Sequence, residues 1–324
     1  MINAVLVLDK PAGFTSHDVV NRVRRITGER SVGHLGTLDP MATGVLPLVL
    51  GRFTRLAQFF NDSSKVYEGE MRFGFSTDTY DAEGEAVGAV LSAAPTLEEL
   101  QLHLPTLTGR ILQTPPAYSA KKVNGVAAYK LARNDKPVEL KPVEVTVHRF
   151  EIQSDGGDRA RFVAEVSAGT YVRSLAHDLG QALGCGAHLT QLRRTHAGEF
   201  DLLQAVTLEE LEQFHHTRTP DLPRGGKSDN AYSVKLASVV TEAPVTPYLH
   251  PRQVLCRFPS VTASPEIVAA IRNGRSVNLP DFSDAPFVKV FASQQLLLAV
   301  MHRIAGTLFQ PKVVLYGSNE PLPV

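Results

Sequence analysis

Apolar positions along the chain fall into two rhythms. Residues 4–9, AVLVLD, form a nearly continuous apolar run that reads as a strand. Val19, Val20, Val23 and Ile26 then recur at helical spacing, with the arginines of the same stretch on the other face. Ser16 is expected as the N-cap of that helix and Gly28 as its stop. A short strand or turn follows at 43–50 and a short helix at 54–61. Residues 65–75, KVYEGEMRFGF, alternate as a strand does. Thr96 and Glu99 form a capping box at the start of a helix. A basic helix is expected over 123–133, strands over 142–152 and 159–168, and a helix from Gly169 to about Leu183. A strand over 188–200 and a helix opened by Thr207, with Glu210 at the box position, complete this part.

The pattern breaks at 215–250, which is rich in Pro, Gly, His and Ser and reads as a linker or insertion, with a short helix at 231–240. Beyond it, short strands at about 254–258, 287–291, 296–302 and 308–316 surround one helix at 264–274, punctuated by Ser264, Pro265 and Gly274. This describes a small mixed β-barrel. The expected organisation is therefore a first domain at 1–214, a linker or insertion at 215–250, and a second domain at 251–324.

Composition narrows the function classes. The 324 residues are 43% hydrophobic and 20% charged, a globular balance, and 24 glycines and 21 prolines are spread along the chain. No run approaches the roughly 20 apolar residues of a membrane span. Two cysteines, Cys185 and Cys256, make no disulfide framework, and the start MINAVLVLDK lacks the shape of a signal peptide, so the cytoplasm is the expected compartment. Net charge is zero but uneven. Residues 10–30 carry Lys10, Arg22, Arg24, Arg25 and Arg30 against Asp18 and Glu29. Residues 120–136 carry Lys121, Lys122, Lys130, Arg133 and Lys136 against Asp135. Residues 78–100 carry Asp78, Asp81, Glu83, Glu85, Glu98 and Glu99 with no Lys or Arg. Such runs are ordinarily solvated faces, and they suit a basic groove on a neutral body equally well.

Several familiar motifs fail. GGKS at 225–228 lacks the leading glycine of a phosphate loop, because Asp221 occupies its place. A calcium loop centred on Gly84 would need carboxylates at Thr79 and Val90. Cys185 and His188 have no second ligand pair, and no GxSxG, HExxH or GxGxxG occurs. No metal or cofactor is expected.

The unusual segment is GHLGTLDPMATGVLPLVLG, 33–51, which sets Asp39 before Pro40 in apolar surroundings. A carboxylate there needs a partner. On local sequence alone Asp39 reads as a turn aspartate bonding its own backbone. The wider pattern alters this. GHLGTLDPMATG, with DKPAGFTSHDVV at 9–20, KVYEGEMRFGFSTDTYDAEG at 65–84, TPPAYSAKKVNGVAAYKLAR at 114–133 and GTYVRSLAHDLGQALGCGAHLTQLRRTHAGEF at 169–200, resembles in order the motifs of the TruB family of tRNA pseudouridine synthases.

The resemblance covers nearly all of 1–210 and implies an α+β fold: a catalytic domain with a central, mostly antiparallel sheet, plus a small C-terminal PUA-like β-barrel. The barrel match is carried by the strand pattern and the ending LFQPKVVLYG. It implies isomerisation of the uridine at position 55 in the tRNA T-loop, with Asp39 as catalytic carboxylate. One carboxylate suffices for that isomerisation, whereas a retaining glycosidase needs a second about 5 Å away. Whether Asp39 adds to the uracil, attacks C1′ or removes a ribose proton stays open. The resemblance assigns Arg173 to hold Asp39, Tyr67 to stack on the flipped base, Tyr171 to line the pocket, His34 to fill the space near the flipped nucleotide and Leu192 to wall it. By residue type alone Tyr67 is a half-buried strand tyrosine and Leu192 a core leucine. Lys10, Arg22, Arg25, Lys121, Lys122, Arg193 and Arg194 are the expected phosphate contacts. The tRNA T-arm is the expected partner, with no membrane, no obligatory protein partner and a monomeric state. Two rivals are a synthase working inside a guide-RNA complex and a catalytically silent RNA-binding protein.

Overall fold

The computed structural model describes residues 2–323 apart from 93, 120, 124, 129–130, 132–139, 155 and 219–245. In chain order the first part carries β1 (Ala4–Lys10), helix α1 (Ser16–Thr27), β2 (Val32–His34), β3 (Thr43–Leu50), a 3₁₀ turn at Gly51–Phe59, β4 (Lys65–Phe73), β5 (Ser76–Thr77) and β6 (Ala86–Val87). Then come α2 (Leu97–His103), β7 (Gly109–Gln113), β8 (Lys122–Val123), β9 (Val126–Ala127), β10 (Val143–Gln153), β11 (Arg159–Val166), α3 (Val172–Ala182), β12 (Ala187–Ala197), β13 (Phe200–Asp201), α4 (Leu208–Arg218) and β14 (Tyr248–Leu249). The last part holds β15 (Ser260–Thr262), α5 (Pro265–Arg272), β16 (Val277–Asn278), β17 (Phe287–Phe291), β18 (Leu297–Ala305) and β19 (Leu308–Val314).

A ten-stranded sheet forms the body, in the order β14-β1-β3-β12-β4-β11-β10-β7, with β2 on β3 and β13 on β12. Every pairing in it is antiparallel except that of β12 with β3. That parallel contact is close: a Cβ on Gly44, whose φ is +99°, would stand 2.2 Å from the carbonyl oxygen of Arg194. Only glycine lets the two strands meet there. This is the α+β architecture expected from the sequence.

The continuous apolar runs of β1 and β3 follow from burial on both faces. Leu6, Leu8, Leu46, Leu48 and Leu50 pack on one side with Val19, Val20 and Val23 of α1 and Val172, Leu175, Ala176 and Leu179 of α3. Their neighbours Val5, Val7, Val45 and Val49 face the other side, where Val254, Leu255, Val268, Val290, Leu298 and Phe309 of the last part cover them. The C-terminal unit is a five-stranded sheet in the order β15-β17-β18-β19-β16, with α5 against it. It shares a core with the back of the main sheet.

Several expectations change. The N-cap of α1 is Thr15, whose hydroxyl receives Asp18 N–H and whose own N–H reaches the Asp18 carboxylate. Ser16 is instead buried inside the helix start. Lys122–Val123 and Val126–Ala127 pair as β8 and β9 rather than opening a helix, although Ala128 and Leu131 beyond them are helical, and residues 129–130 and 132–133 of the expected helix lie outside the described residues. Residues 54–61 form a 3₁₀ turn, displaced to 51–59. Residues 254–258 are turns around Leu255, at φ 55°, and the strand comes later, at 260–262. The segment 215–250 is framed by regular structure: α4 runs to 218, and Tyr248 and Leu249 pair with Leu6 and Val5. The helix expected at 231–240 lies outside the described residues.

Candidate active site

Asp39 lies on the loop between β2 and β3, and two local devices fix it. Ser16 Oγ accepts the Leu38 N–H at 2.8 Å and donates to the Leu38 carbonyl at 3.2 Å, so the buried start of α1 holds the residue before Asp39. Lys10, at the end of β1, is fully buried, and its ammonium donates to the carbonyls of Pro11, Phe14 and Pro40. The residue after Asp39 is thereby tied to the end of β1. Burial lowers the Lys10 pKa to about 8, with Asp39 and Glu83 pulling it back up.

Arg173 reaches Asp39 from α3. The start of that helix has no side-chain cap of its own. Gln113 substitutes, accepting Tyr171 N–H at 2.8 Å and donating to the Tyr171 carbonyl at 3.1 Å. Arg173 sits in the first turn, the positive end of the helix dipole, where a cation is disfavoured without a carboxylate. Two are present. Its Nη2 lies 3.1 Å from Asp39 Oδ1 and its Nε 2.9 Å from Asp39 Oδ2, while Nη1 lies 3.4 Å from Asp81 Oδ2. The guanidinium also donates to the carbonyls of Thr79 and Tyr118. Its side chain is 5% exposed and that of Asp39 34%, so the pair is sunk on the arginine side and open on the carboxylate side. Burial pushes the Asp39 carboxyl above its ordinary range. Arg173 opposes this, and the charge of Asp81 adds to it.

Asp81 was invisible as a site residue in the sequence, hidden in an acidic stretch that reads as solvated. It is buried, and its Oδ1 accepts from Thr79 Oγ1 at 2.6 Å and from Glu83 N–H at 3.1 Å. The spacing of TDTYDAEG was the available signal. The site thus holds a second carboxylate where one was expected. Because Asp81 is committed to bonds within its own turn and to Arg173, Asp39 is the carboxylate that faces outward.

Tyr67 and Leu192 are buried in the same apolar cluster as Leu38 and Val172, the neighbours of Asp39 and Arg173. Tyr67 pairs across β4 and β12 with Arg194. Tyr171 is half-buried, and burial raises its phenol pKa, with Ser119, Arg173 and Asp39 among its electrical neighbours. His34, on β2, feels burial first and then Arg194 and His17, all lowering its pKa; its Nδ1 is buried without a partner. Asp39 and Arg173 therefore meet directly, Tyr171 stands at the start of the helix that carries Arg173, Tyr67 and Leu192 belong to the core that Leu38 and Val172 join, and His34 lies on β2 before the Asp39 loop.

The phosphate contacts need correction. The three carbonyls on Lys10 leave no ammonium proton for RNA. Arg194 is fully buried among backbone carbonyls. Arg193 pairs with both oxygens of Asp9 and Arg22 with Glu212, yet their side chains keep 40% and 41% of their surface exposed, so neither is removed as a phosphate contact. Arg25 and Lys121 are exposed, as the role requires, and the Lys122 side chain lies outside the described residues.

Among the described residues, no group of three or more His, Cys, Asp or Glu side chains is arranged to hold a metal ion, and no helix is long and apolar enough to cross a membrane.

Comparison with known proteins points to one family. Residues 24–172 match the model of the TruB family pseudouridylate synthase N-terminal domain, and 173–224 that of the tRNA pseudouridylate synthase B C-terminal domain. A protein of Solibacter usitatus named tRNA pseudouridine synthase B is 46% identical over 320 residues, 97% of this chain and 100% of that protein. The chain belongs to the TruB family. A namesake from Stutzerimonas stutzeri is 49% identical over 214 residues, 66% of this chain and 70% of its own. Among solved structures, the archaeal box H/ACA sRNP Nop10-Cbf5 complex matches with a TM-score of 0.65 at 24% identity, covering 98% of this chain and 87% of that one. A Cbf5-Nop10-Gar1 complex matches with a TM-score of 0.66 at 24% identity, covering 97% and 85%. These likenesses establish the shared fold, C-terminal unit included.

Proposed function

We propose that this protein isomerises uridine to pseudouridine in tRNA, at position 55 of the T-loop, with Asp39 as its catalytic carboxylate. The observation that carries the reading is the Asp39–Arg173 pair: a carboxylate hydrogen-bonded through one oxygen and in ion-pair contact through the other with a buried guanidinium, yet open on its outer side. Membership of the TruB family and relatives named tRNA pseudouridine synthase B support the reaction and the tRNA substrate.

The reaction breaks the uridine N1–C1′ bond and forms a C5–C1′ bond; C5 loses its proton to solvent and N1 takes one up, so the proton count is unchanged. Substrate and product are isomers, so no oxidant, reductant or energy source is needed. Attack at C1′, addition to the uracil and removal of a ribose proton all require Asp39 to be ionised. Arg173 favours that ionised form, opposing the effect of burial. The target base must leave its stack to reach the carboxylate. Tyr67 and Leu192 would wall the pocket it enters, with Tyr67 as the stacking face, Tyr171 along its side and His34 beside the vacated position. The chain is read as a catalytic domain at 1–214 and a PUA-like RNA-binding domain at 251–324 that lengthens the RNA surface. It acts as a monomer, without a protein partner, in the cytoplasm.

The test is tRNA tritiated at uracil C5, given to the purified protein alone. Tritium release is expected, with pseudouridine at position 55. No release without an added guide RNA would overturn the solo-enzyme reading.

A further inference from the structure

Arg194 is the largest fully buried side chain among the described residues, and no carboxylate pairs with it there. A buried cation without a counterion is costly, and an apolar side chain would fill the same space without that cost. The bonds it makes give the reason for it. Its Nε donates to the Val45 carbonyl at 2.8 Å, its Nη2 to the Gly36 carbonyl at 3.0 Å and its Nη1 to the Thr37 carbonyl at 3.4 Å. Gly36 and Thr37 lie before Asp39 in the loop, and Val45 lies after it. The guanidinium thus bridges the two arms of the loop whose tip carries the carboxylate.

The backbone of Arg194 makes the same connection from below. In β12 it is the partner of Gly44 on β3 and of Tyr67 on β4. The bare Cα of Gly44 is what allows that approach. One residue therefore sets the register between the strand leaving the Asp39 loop and the strand bearing Tyr67. Its side chain then fixes the loop itself.

We propose that Arg194 is a positioning residue for the isomerisation: it touches no RNA and acts by holding the Asp39 loop in the geometry that Arg173 completes. Lysine cannot replace it fully, because a single ammonium lacks the planar fork that spans carbonyls on two arms. The inference rests on the functional reading above, so wild-type tritium release is measured first; its absence would overturn that reading and this inference with it.

Arg194→Met and Arg194→Lys are then compared, with folding followed by circular dichroism and thermal melting. In single turnover, the Met variant should react at least about 30-fold slower and the Lys variant about tenfold slower, with tRNA Kd within about threefold of wild type. In Arg194→Ala, which leaves the space empty, ethylguanidinium should restore part of the lost rate, and ethylammonium at equal concentration should not. If the Met variant fails to fold, the Lys variant carries the test on the same thresholds. A folded variant that keeps its rate within about threefold overturns the proposal. So does a fall in tRNA affinity that matches the fall in rate, which would return Arg194 to the RNA.

Discussion

Arg173 and Asp39, 134 residues apart in the chain, meet through both carboxylate oxygens, with Nη2 at 3.1 Å from one and Nε at 2.9 Å from the other. The same guanidinium touches Asp81 and two backbone carbonyls. The pair is more than a surface ion bridge: the arginine is buried, and the aspartate keeps one open side.

Removing the arginine should move the pH dependence in a definite direction. Burial raises the Asp39 pKa, and Arg173 lowers it. In Arg173→Met the opposing charge is lost, so the pKa climbs further. The ionised, active form then disappears at a higher pH, and the acid limb of the kcat/KM profile shifts upward. At neutral pH the rate should fall by about 100-fold or more. Breaking a buried pair should also cost about 3–5 kcal/mol of stability. An unchanged acid limb in a folded variant would contradict the role given to Arg173.

Tyr67 separates stacking from packing. It keeps 8% of its surface exposed and belongs to the main core, so Tyr67→Ala should cost about 3–5 kcal/mol of stability. Tyr67→Phe keeps the ring and should stay within about 1.5 kcal/mol. For the Ala variant, tRNA should still bind while turnover drops steeply. Loss of binding with unchanged single-turnover chemistry would argue against the stacking role. Filter binding and single-turnover kinetics on both variants decide it.

Ser16 tests how the loop is held. Ser16→Ala removes both hydrogen bonds to Leu38, one residue before Asp39. Leaving buried backbone groups unpaired should lower stability by about 1–3 kcal/mol in urea unfolding. A change below about 0.5 kcal/mol would mean that the Leu38 groups find other partners.

Much of this was legible in the sequence wherever local periodicity coincided with tertiary burial. The apolar face of α1, the alternation of β4 and the capping boxes at Thr96 and Thr207 each stand where the pattern put them. Ser16 was misread because both it and Thr15 are capping residue types, and only the contact with Leu38 decides between them. The short strands β8 and β9 lie among basic residues with no strong alternation, so composition suggests a helix there. Asp39 and Arg173 were found through ordered motifs, since nothing local distinguishes a paired aspartate from a turn aspartate. Asp81 was missed for the same reason. Charge alone cannot separate a phosphate contact from an internal clamp, so Lys10 and Arg194 were assigned to RNA until their burial and carbonyl partners were known.

The most direct test of the account is Asp39→Asn in single turnover on tRNA tritiated at uracil C5. The substitution preserves shape and removes the charge that every proposed role of Asp39 requires. The expected result is a folded protein that binds tRNA within about threefold of wild type and releases no tritium above background. Near-normal release by the folded variant would contradict the assignment of Asp39 as the catalytic carboxylate.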